Sequence, residues 1–370
     1  MKVLVINPIM YTSEKRNIRR AKSIKDTMMY DLCLAFHEMG HDVTLVGGEP
    51  FKPEKKENYP FKVIWWECKW KRIFQPHCLP YMPETRKYVK QYKNEFDFII
   101  SSEVFSLNSL MAYLSASKKV IIWHELAKHN ALMKQIPSKV WYGMVARIFM
   151  KNSKIVARSI EAREFIRQYC RNVDNRIIDH GVNLDKFKAD TNKEKTFVVC
   201  SQLIERKKID GIIEKFATYL KKYDSDYFLY IVGSGELEER LKNQVISLNI
   251  SEQVSFMGQM NHNKLLPILS KAKALLVNTV KDNNMVSIVE SIAVGTPVVT
   301  TEIPLNSAYI KKYKLGIAKQ HWNEDDLHRI VLNSEEYITN CMNYRYKLST
   351  KKRVEQFIKI AEDLEYENAK

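Results

Sequence analysis

Short apolar runs alternate with amphipathic stretches along the first half of the chain. The runs at residues 3–6, 43–46, 97–100, 120–123 and 154–156 are rich in Val and Ile and predict buried strands. Residues 28–38 predict a helix, and Gly40 follows it where a helix commonly ends. Such alternation of strands and helices predicts a parallel sheet with helices on both faces.

The second half of the chain repeats this pattern. Helices are predicted over residues 210–219 and from Gly235 to about residue 241, and strands at 196–200, 228–232, 254–257, 274–277 and 298–300. Residues 351–365 combine helical periodicity with strong helix formers and predict a final helix. Because 370 residues exceed one ordinary domain, we expect two α/β domains with a hinge near residues 180–195.

Composition narrows the possible environments and partners. The six cysteines are scattered without a C-x-x-C pair, so we expect reduced thiols. Residues 1–6 read as a strand without the apolar core and cleavage site of a signal peptide, so we expect none, and no apolar stretch approaches the roughly 18 residues of a membrane span. We therefore expect a cytoplasmic protein, at most peripheral on the inner face of the cell membrane.

The net charge of +16 predicts an anionic partner. Nucleic acid, acidic phospholipid and phosphorylated sugar donors all satisfy the charge. No nucleic-acid-binding motif accompanies it, so nucleic acid is not the expected partner.

Two carboxylates follow the strand predicted at residues 274–277. Asp282 lies in the loop after this strand, and Glu290 lies in a short helix that starts near residue 285. Open α/β sheets bind ligands at the carboxyl ends of their strands. The backbone amides of Val286 and Ser287 open the helix, and helix N-termini are suited to phosphate.

This stretch resembles the E-x7-E segment of retaining GT-B glycosyltransferases of family 4, with Asp282 in place of the first glutamate. The resemblance covers most of the second half of the chain and is weaker in the first. Four further segments resemble the family in the expected order: residues 178–187 its N-G-V-D-x-x-x-F segment, 230–237 its G-x-G-x-L turn around Gly233, 254–258 its V-x-F-x-G strand, and 313–317 its late glycine turn.

The resemblance implies the GT-B fold, an α/β architecture of two Rossmann-like, doubly wound parallel-sheet domains facing across a cleft. It places an acceptor-side domain at residues 1–185 and a nucleotide-sugar donor-binding domain at residues 186–350. It also implies that a C-terminal helix, at about residues 351–370, packs back on the first domain.

Donor-binding roles also follow from the resemblance. Glu290 matches the glutamate that binds the ribose hydroxyls, and the helix start at Val286 and Ser287 would lie beneath the diphosphate. Gly233 belongs to the glycine turn of the same site.

Residues 201–208 match a basic segment of the family in which Lys207 is the lysine that holds the diphosphate. Gln202 stands where the family has arginine and contributes no charge, and Arg206 or Lys208 is the candidate to replace that charge. A solvated run of charge before a helix is the alternative for this segment.

Two residues are candidates for the catalytic centre. His124 follows the strand at 120–123, where the family places a histidine that faces the donor sugar and phosphate. Asp282 matches the first acid of the motif, which lies by the donor sugar, and it is one methylene shorter than glutamate. An ordinary structural histidine and an ordinary loop aspartate are the alternatives.

We expect neither a metal nor another cofactor. The triplet Asp224-Ser225-Asp226 resembles a metal-binding D-x-D, but it precedes a strand rather than following one, so we interpret it as a chance match. His129 is expected on a helix surface. The basic run at residues 15–20 and the aromatic stretch at residues 65–81 suit an acceptor or an anionic membrane surface, or else a solvated loop and buried packing.

The resulting prediction is a retaining glycosyltransferase that moves a sugar from a nucleotide-diphosphate donor to a hydroxyl of a glycan or lipid-linked glycan, in the synthesis of surface polysaccharide or glycolipid. Two alternatives stay open: a nucleotide-sugar epimerase or phosphorylase on the same fold, and a non-catalytic subunit that binds nucleotide sugar.

Overall fold

The computed structural model describes residues 1–11, 18, 23–282 and 285–369, without the side chains of residues 368 and 369. The basic run at residues 15–20, Ile18 apart, and the pair Asn283 and Asn284 lie outside the described residues. The chain forms two compact units. The first comprises Met1–Asn183 and Thr350–Lys370, and the second comprises Leu184–Ser349.

The first unit is built on a seven-stranded parallel sheet with the strand order β3-β2-β1-β4-β5-β6-β7. The strands are β1 Lys2–Ile6, β2 Asp42–Gly48, β3 Lys62–Trp66, β4 Phe98–Ser102, β5 Val120–His124, β6 Lys154–Ala157 and β7 Val173–Ile177. The helices are α1 Met28–Glu38, α2 Glu84–Tyr92, α3 Leu107–Ser115, α4 Ile136–Val140, α5 Arg147–Phe149 and α6 Ile160–Arg167.

The five apolar runs predicted in this half are all strands of the sheet, at its centre and on either side of it. Their side chains are buried on both faces, as continuous apolar runs in parallel sheets require. The sequence missed the two edge strands. β7 reads Val-Asp-Asn-Arg-Ile and is too polar to stand out, because an edge strand leaves much of its length in water.

The second unit contains a six-stranded parallel sheet with the order β10-β9-β8-β11-β12-β13. The strands are β8 Thr196–Cys200, β9 Phe228–Val232, β10 Val254–Gly258, β11 Ala274–Leu276, β12 Val298–Thr300 and β13 Gly316–Ala318. The helices are α7 Ile209–Lys222, α8 Glu238–Ser247, α9 His262–Lys271, α10 Val286–Ala293, α11 Ser307–Lys312, α12 Glu324–Leu332 and α13 Ser334–Tyr344. The predicted strands are again present, and the three-residue edge strand β13 was missed.

The last helix, α14 Thr350–Ala369, returns to the first unit. Its side chains Val354, Phe357 and Ile360 belong to the same buried cluster as those of β1 and α1. Arg353, at its start, forms an ion pair with Asp179 of the first unit. The first unit therefore takes its core from both ends of the chain.

In each sheet the strand order reverses at one place. In the second unit the chain runs outward from β8 to β10 on one side and from β11 to β13 on the other. In open α/β sheets, ligands bind in the crevice outside the carboxyl ends of the strands at such a reversal point, here β8 and β11.

Candidate functional site

The segment after β8 brings Lys207 to this crevice. A 3-10 turn, Glu205–Lys207, follows the strand, and Lys208 then adopts a left-handed conformation with φ of 49° before α7 begins. Lys207 is buried although it is a lysine. A buried ammonium requires an anionic partner, because burial without one is costly.

That partner is Asp282, in the loop after the neighbouring strand β11. Its Oδ2 atom accepts hydrogen bonds from Lys207 Nζ at 2.6 Å and Arg206 Nη1 at 2.9 Å, and the Thr279 hydroxyl lies 2.8 Å from it. Burial alone would raise the pKa of Asp282. The hydrogen bonds from Lys207 and Thr279 outweigh burial, so the pKa is lowered.

The two loops are also joined through their backbones. Val280 N–H donates to the carbonyl of Arg206 at 3.0 Å. The side-chain amide of Asn278 donates to the carbonyl of Lys208 at 3.1 Å. The structure therefore fixes Lys207 and Asp282 relative to each other before any ligand binds. An ammonium has three N–H donors, and the bond to Asp282 occupies one.

Glu290 lies on α10 and is 5% exposed, so it is not a solvated helix residue. Its Oε1 accepts a hydrogen bond from His262 Nε2 at 2.8 Å. His262 is the first residue of α9, which Asn261 caps, and its own side chain is about half exposed. Cys200, at the end of β8, has a pKa raised to about 12, mainly by burial and secondly by the charge of Glu290. Glu290 thus lies by the same carboxyl edge of the sheet.

Sequence reasoning missed His262. It lies 28 positions before Glu290, and nothing in the chain links the two until the sheet brings α9 and α10 together. The signal that was available is a histidine beside a helix-capping asparagine, directly after the strand that resembles the family.

The other predicted donor-binding residues lie in the same part of the second unit. Val286 is 58% exposed and Ser287 is half-buried at the N-terminus of α10, where backbone N–H groups lack helical acceptors. The side chain of Gln202 is exposed in the segment after β8. All three residues follow strands of the second sheet in the chain, Gln202 after β8 and Val286 and Ser287 after β11.

The backbone around Gly233 explains why a glycine occupies this position, without any role in ligand binding. Its φ is +138°, and a Cβ atom there would lie 1.8 Å from the carbonyl oxygen of Ser201. Gly235 is similarly tight, with a Cβ position 2.3 Å from the carbonyl oxygen of Leu203. The two glycines let the loop after β9 lie directly against the segment after β8, and so support the segment that carries Lys207.

In the first unit, His124 is the last residue of β5 and is fully buried. Its Nδ1 lies 2.5 Å from Oε1 of Glu103, which follows the neighbouring strand β4. A carboxylate only accepts, so Nδ1 carries the proton. His124 Nε2 is buried and has no hydrogen-bond partner among the described residues. A fixed ring with one unsatisfied nitrogen suits a ligand-binding or proton-transferring histidine.

Both carboxylate oxygens of Glu103 accept several hydrogen bonds. Oε1 also accepts from Val104 N–H at 2.9 Å and from the Tyr142 hydroxyl at 3.3 Å. Oε2 accepts from the backbone N–H groups of Glu125 at 3.0 Å and Leu126 at 3.2 Å. Burial would raise the pKa of Glu103, but the charge and hydrogen bond of His124 and the backbone N–H groups lower it. Its backbone φ of 72° is left-handed, as at many constrained sites.

A second charged pair lies beside this one. Arg158 follows β6, is buried, and donates to Glu125 at 2.8 Å while its guanidinium stacks 3.8 Å from the ring centre of Trp123. The pKa of Glu125 is lowered to about 2, first by a hydrogen bond from His180 and then, against burial, by the charge of Arg158. Glu103, Glu125, His180 and Arg158 therefore lie near His124 at the carboxyl edge of the first sheet.

The prediction for His129 is wrong, and the structure shows the surroundings of two other segments considered in the sequence. His129 is not on a helix; it lies half-buried in the loop after β5, with Nδ1 3.2 Å from the Ser138 hydroxyl. The aromatic stretch at residues 65–81 is mixed, since Trp66 is buried whereas Trp70 is exposed. Asp224 and Asp226 both pair with Lys195.

No group of three His, Cys, Asp or Glu side chains that could hold a metal occurs within residues 1–11, 18, 23–282 and 285–369. In the same part of the chain, no helix has the length and apolar character that a membrane span needs.

Comparison with known proteins finds related sequences and related folds. The model of "Glycosyl transferases group 1" matches residues 183–345, and that of "Glycosyltransferase Family 4" matches residues 26–186. An alpha-monoglucosyldiacylglycerol synthase of Streptococcus pneumoniae is 24% identical over 66% of this chain and 60% of its own length. The O-antigen chain mannosyltransferase RfbU of Salmonella typhimurium is 23% identical over 45% of this chain and 47% of its own. The matches thus span about half to three-fifths of these relatives.

Solved structures share the fold along nearly the whole chain. Anabaena Alr3699/HepE in complex with UDP aligns with a TM-score of 0.65 at 14% identity, covering 98% of this chain and all of its own. Sucrose-phosphate synthase from Thermosynechococcus elongatus aligns with a TM-score of 0.61 at 16% identity, covering 98% of each chain. Two glycosyltransferase family models match in succession from residue 26 to residue 345, and solved structures share the fold along nearly the whole chain, so the chain belongs to the GT-B glycosyltransferases of the family-4 type.

Proposed function

We propose that this protein is a retaining glycosyltransferase that uses a nucleoside-diphosphate sugar as donor and a hydroxyl of a polysaccharide or glycolipid as acceptor. The observation that carries the proposal is the buried Lys207 fixed at the reversal point of the second sheet. An ammonium held there by Asp282 is a pre-organised site for diphosphate oxygens.

The second unit supplies the donor site in this proposal. The diphosphate contacts Lys207 and the N-terminal amides of α10 at Val286 and Ser287, where the helix dipole favours negative charge. The ribose hydroxyls bind Glu290, whose carboxylate the His262 ring already orients. UDP is the first nucleotide to test, because several solved structures of the same fold contain it.

The acceptor belongs to the first unit in this proposal, beside His124. The relatives include a diacylglycerol glucosyl enzyme and an O-antigen mannosyltransferase, so lipid-linked and polysaccharide acceptors are the classes to examine. The fixed His124 ring with its unsatisfied Nε2 is suited to bind a hydroxyl or phosphate oxygen of the acceptor. An anionic membrane surface is the proposed location, on the strength of the +16 net charge.

The proposed chemistry needs no enzyme nucleophile. The bond between the sugar anomeric carbon and the diphosphate oxygen breaks as the acceptor oxygen attacks on the same face. The acceptor proton passes to the departing phosphate oxygen. Lys207 and the α10 amides stabilise the negative charge that develops on that phosphate.

The donor site is tested by replacing Glu290 with alanine and measuring UDP binding by calorimetry. Loss of a charged hydrogen bond to ribose predicts roughly ten- to hundredfold weaker binding. The matched control is Glu239→Ala, since Glu239 is an exposed carboxylate on α8 of the same unit. A thermal melt of both variants checks folding. Unchanged UDP affinity in a folded Glu290→Ala protein would overturn the assignment.

A further inference from the structure

One helix of the first unit exposes an apolar row to solvent. The segment runs through α4, a π-helical stretch Trp141–Ala146 and α5. Ser138, Tyr142, Ala146 and Met150, four residues apart, are buried. Ile136, Val140, Met144 and Ile148, also four residues apart, are 51–66% exposed. Positions two residues apart lie about 200° apart around a helix, so the exposed row faces directly away from the core.

The π-helical stretch keeps both rows straight. In a regular α-helix, positions four residues apart drift by about 40° at each step. A π-helical turn is wider and drifts in the opposite sense. The mixed helix therefore holds four exposed apolar residues in one line, where a plain α-helix would spread them around its surface.

The charge around this row is of one sign. Residues 126–153, which include the helical segment, contain five Lys or Arg and no Asp or Glu. Lys134 and Lys139, within three residues of Ile136 in the chain, are exposed. A line of apolar side chains flanked by cations is complementary to an anionic lipid surface, into which the apolar groups insert while the cations meet the phosphates.

The same charge argues against a second copy of this chain on the face. A symmetric pairing would bring this exclusively basic segment against itself, and like charges facing each other are unfavourable. Soluble proteins usually expose large apolar side chains singly and scattered over the surface, whereas here four of them are aligned.

The inner side of the segment contacts the His124 pair. The Tyr142 hydroxyl donates to Glu103, which holds the His124 ring, and Trp141 Nε1 donates to the carbonyl of Val104 at 2.8 Å. A bilayer bound to the outer side is thus one helix thickness from His124. That places the proposed acceptor site at the level of lipid head groups.

We propose that the exposed row Ile136, Val140, Met144 and Ile148, together with its flanking lysines, docks the protein on an anionic bilayer and thereby selects acceptors carried by membrane lipid. The docking follows from the surface alone. The choice of acceptor rests on the proposed function.

The test is co-sedimentation of the full chain with phosphatidylcholine vesicles with and without phosphatidylglycerol. The double variant Met144→Gln, Ile148→Gln should bind mixed vesicles about tenfold more weakly. The matched control is Ile246→Gln, Leu332→Gln, which removes two equally exposed apolar side chains from the second unit and should bind as the wild type does.

Charge is tested separately. Lys134→Gln, Lys139→Gln should weaken binding by about fivefold per lysine, with the loss disappearing at high salt. Lys52→Gln, Lys90→Gln removes the same charge from exposed positions elsewhere in the first unit and should have a much smaller effect. Binding that does not depend on phosphatidylglycerol, or that both double apolar variants lose equally, overturns the proposal.

Two further readouts separate the possible failures. The Met144→Gln, Ile148→Gln protein should keep its UDP affinity, and Glu290→Ala should keep its vesicle binding, so docking and donor binding fail independently. Light scattering across protein concentrations tests whether a second copy of the chain, rather than a membrane, covers the apolar row. If the wild type forms a dimer that the Met144→Gln, Ile148→Gln variant does not form, and binds no vesicles, the row binds a second copy of the chain and the membrane proposal is refuted.

Discussion

Replacing Glu103 with glutamine tests whether this carboxylate builds the His124 site. The side chain keeps its size but loses its charge, and one acceptor oxygen becomes an NH2 donor. Oε1 faces donors from His124, Tyr142 and Val104, and Oε2 faces the N–H groups of Glu125 and Leu126. In either orientation of the glutamine amide, its NH2 group therefore faces at least two other hydrogen-bond donors, and no acceptor is left for them.

The stability cost follows from that count. Each buried donor left without an acceptor costs about 1–3 kcal/mol. The less damaging orientation sacrifices the two backbone donors to Oε2, which have partial access to water. We therefore expect Glu103→Gln to lower the free energy of unfolding of the first unit by about 2–4 kcal/mol at neutral pH.

Urea unfolding followed by tryptophan fluorescence measures this change. Five of the six tryptophans lie in the first unit, so the signal reports mainly on its unfolding. The control is Glu84→Gln, an exposed carboxylate on α2 that lies 3.8 Å from Lys87. That change should stay within about 0.5 kcal/mol, because exposed ion pairs contribute little.

The pH dependence gives a second check. The folded-state pKa of Glu103 is lowered relative to its unfolded value of about 4.3. Its contribution is complete above the unfolded pKa and is lost as pH falls through the folded pKa. The gap in stability between wild type and Glu103→Gln should thus be constant above about pH 5 and narrow in acid. A gap under about 1 kcal/mol at neutral pH, or one that persists unchanged in acid, would refute this reasoning.

Two further predictions concern the second unit and the reaction. Gly233→Ala should destabilise the second unit by more than about 3 kcal/mol in urea or prevent its folding, because the added Cβ would meet the Ser201 carbonyl and φ is positive there. Gly143→Ala is the control, since a Cβ there has no atom within 4 Å, and it should stabilise the first unit by about 0.5–1 kcal/mol. Equal effects of the two substitutions would contradict the close packing at Gly233. The product of transfer should keep the anomeric configuration of the donor in proton NMR, and an inverted linkage would exclude the retaining mechanism.

The fold was largely predictable because its strands are buried on both faces and read as apolar runs. What escaped prediction was polar or edge-lying, such as β7, whose charged residues sit at the sheet margin. The helix that carries the exposed apolar row was missed for a related reason. Its apolar residues lie on two opposite faces, so they do not form the single stripe by which a surface helix is usually recognised.

The candidate site was predictable where it is local in sequence and not where it depends on pairing between loops. Lys207, Asp282 and Glu290 were named from motifs, although their assigned roles stay predictions. Glu103 and His262 were missed because each pairs with a residue 21 or 28 positions away, and the packing of strands and helices, rather than a spacing in the sequence, brings each pair together.

The return of α14 to the first unit has a consequence for the order in which the protein is made. All strands of both sheets are synthesised before residue 350, and the second unit is one continuous stretch of chain that can close its core as it emerges. The first unit emerges earlier but lacks Val354, Phe357 and Ile360 until the final helix appears. The half that leaves the ribosome first is therefore the half that finishes folding last, and its apolar surface at α1 stays uncovered throughout that interval.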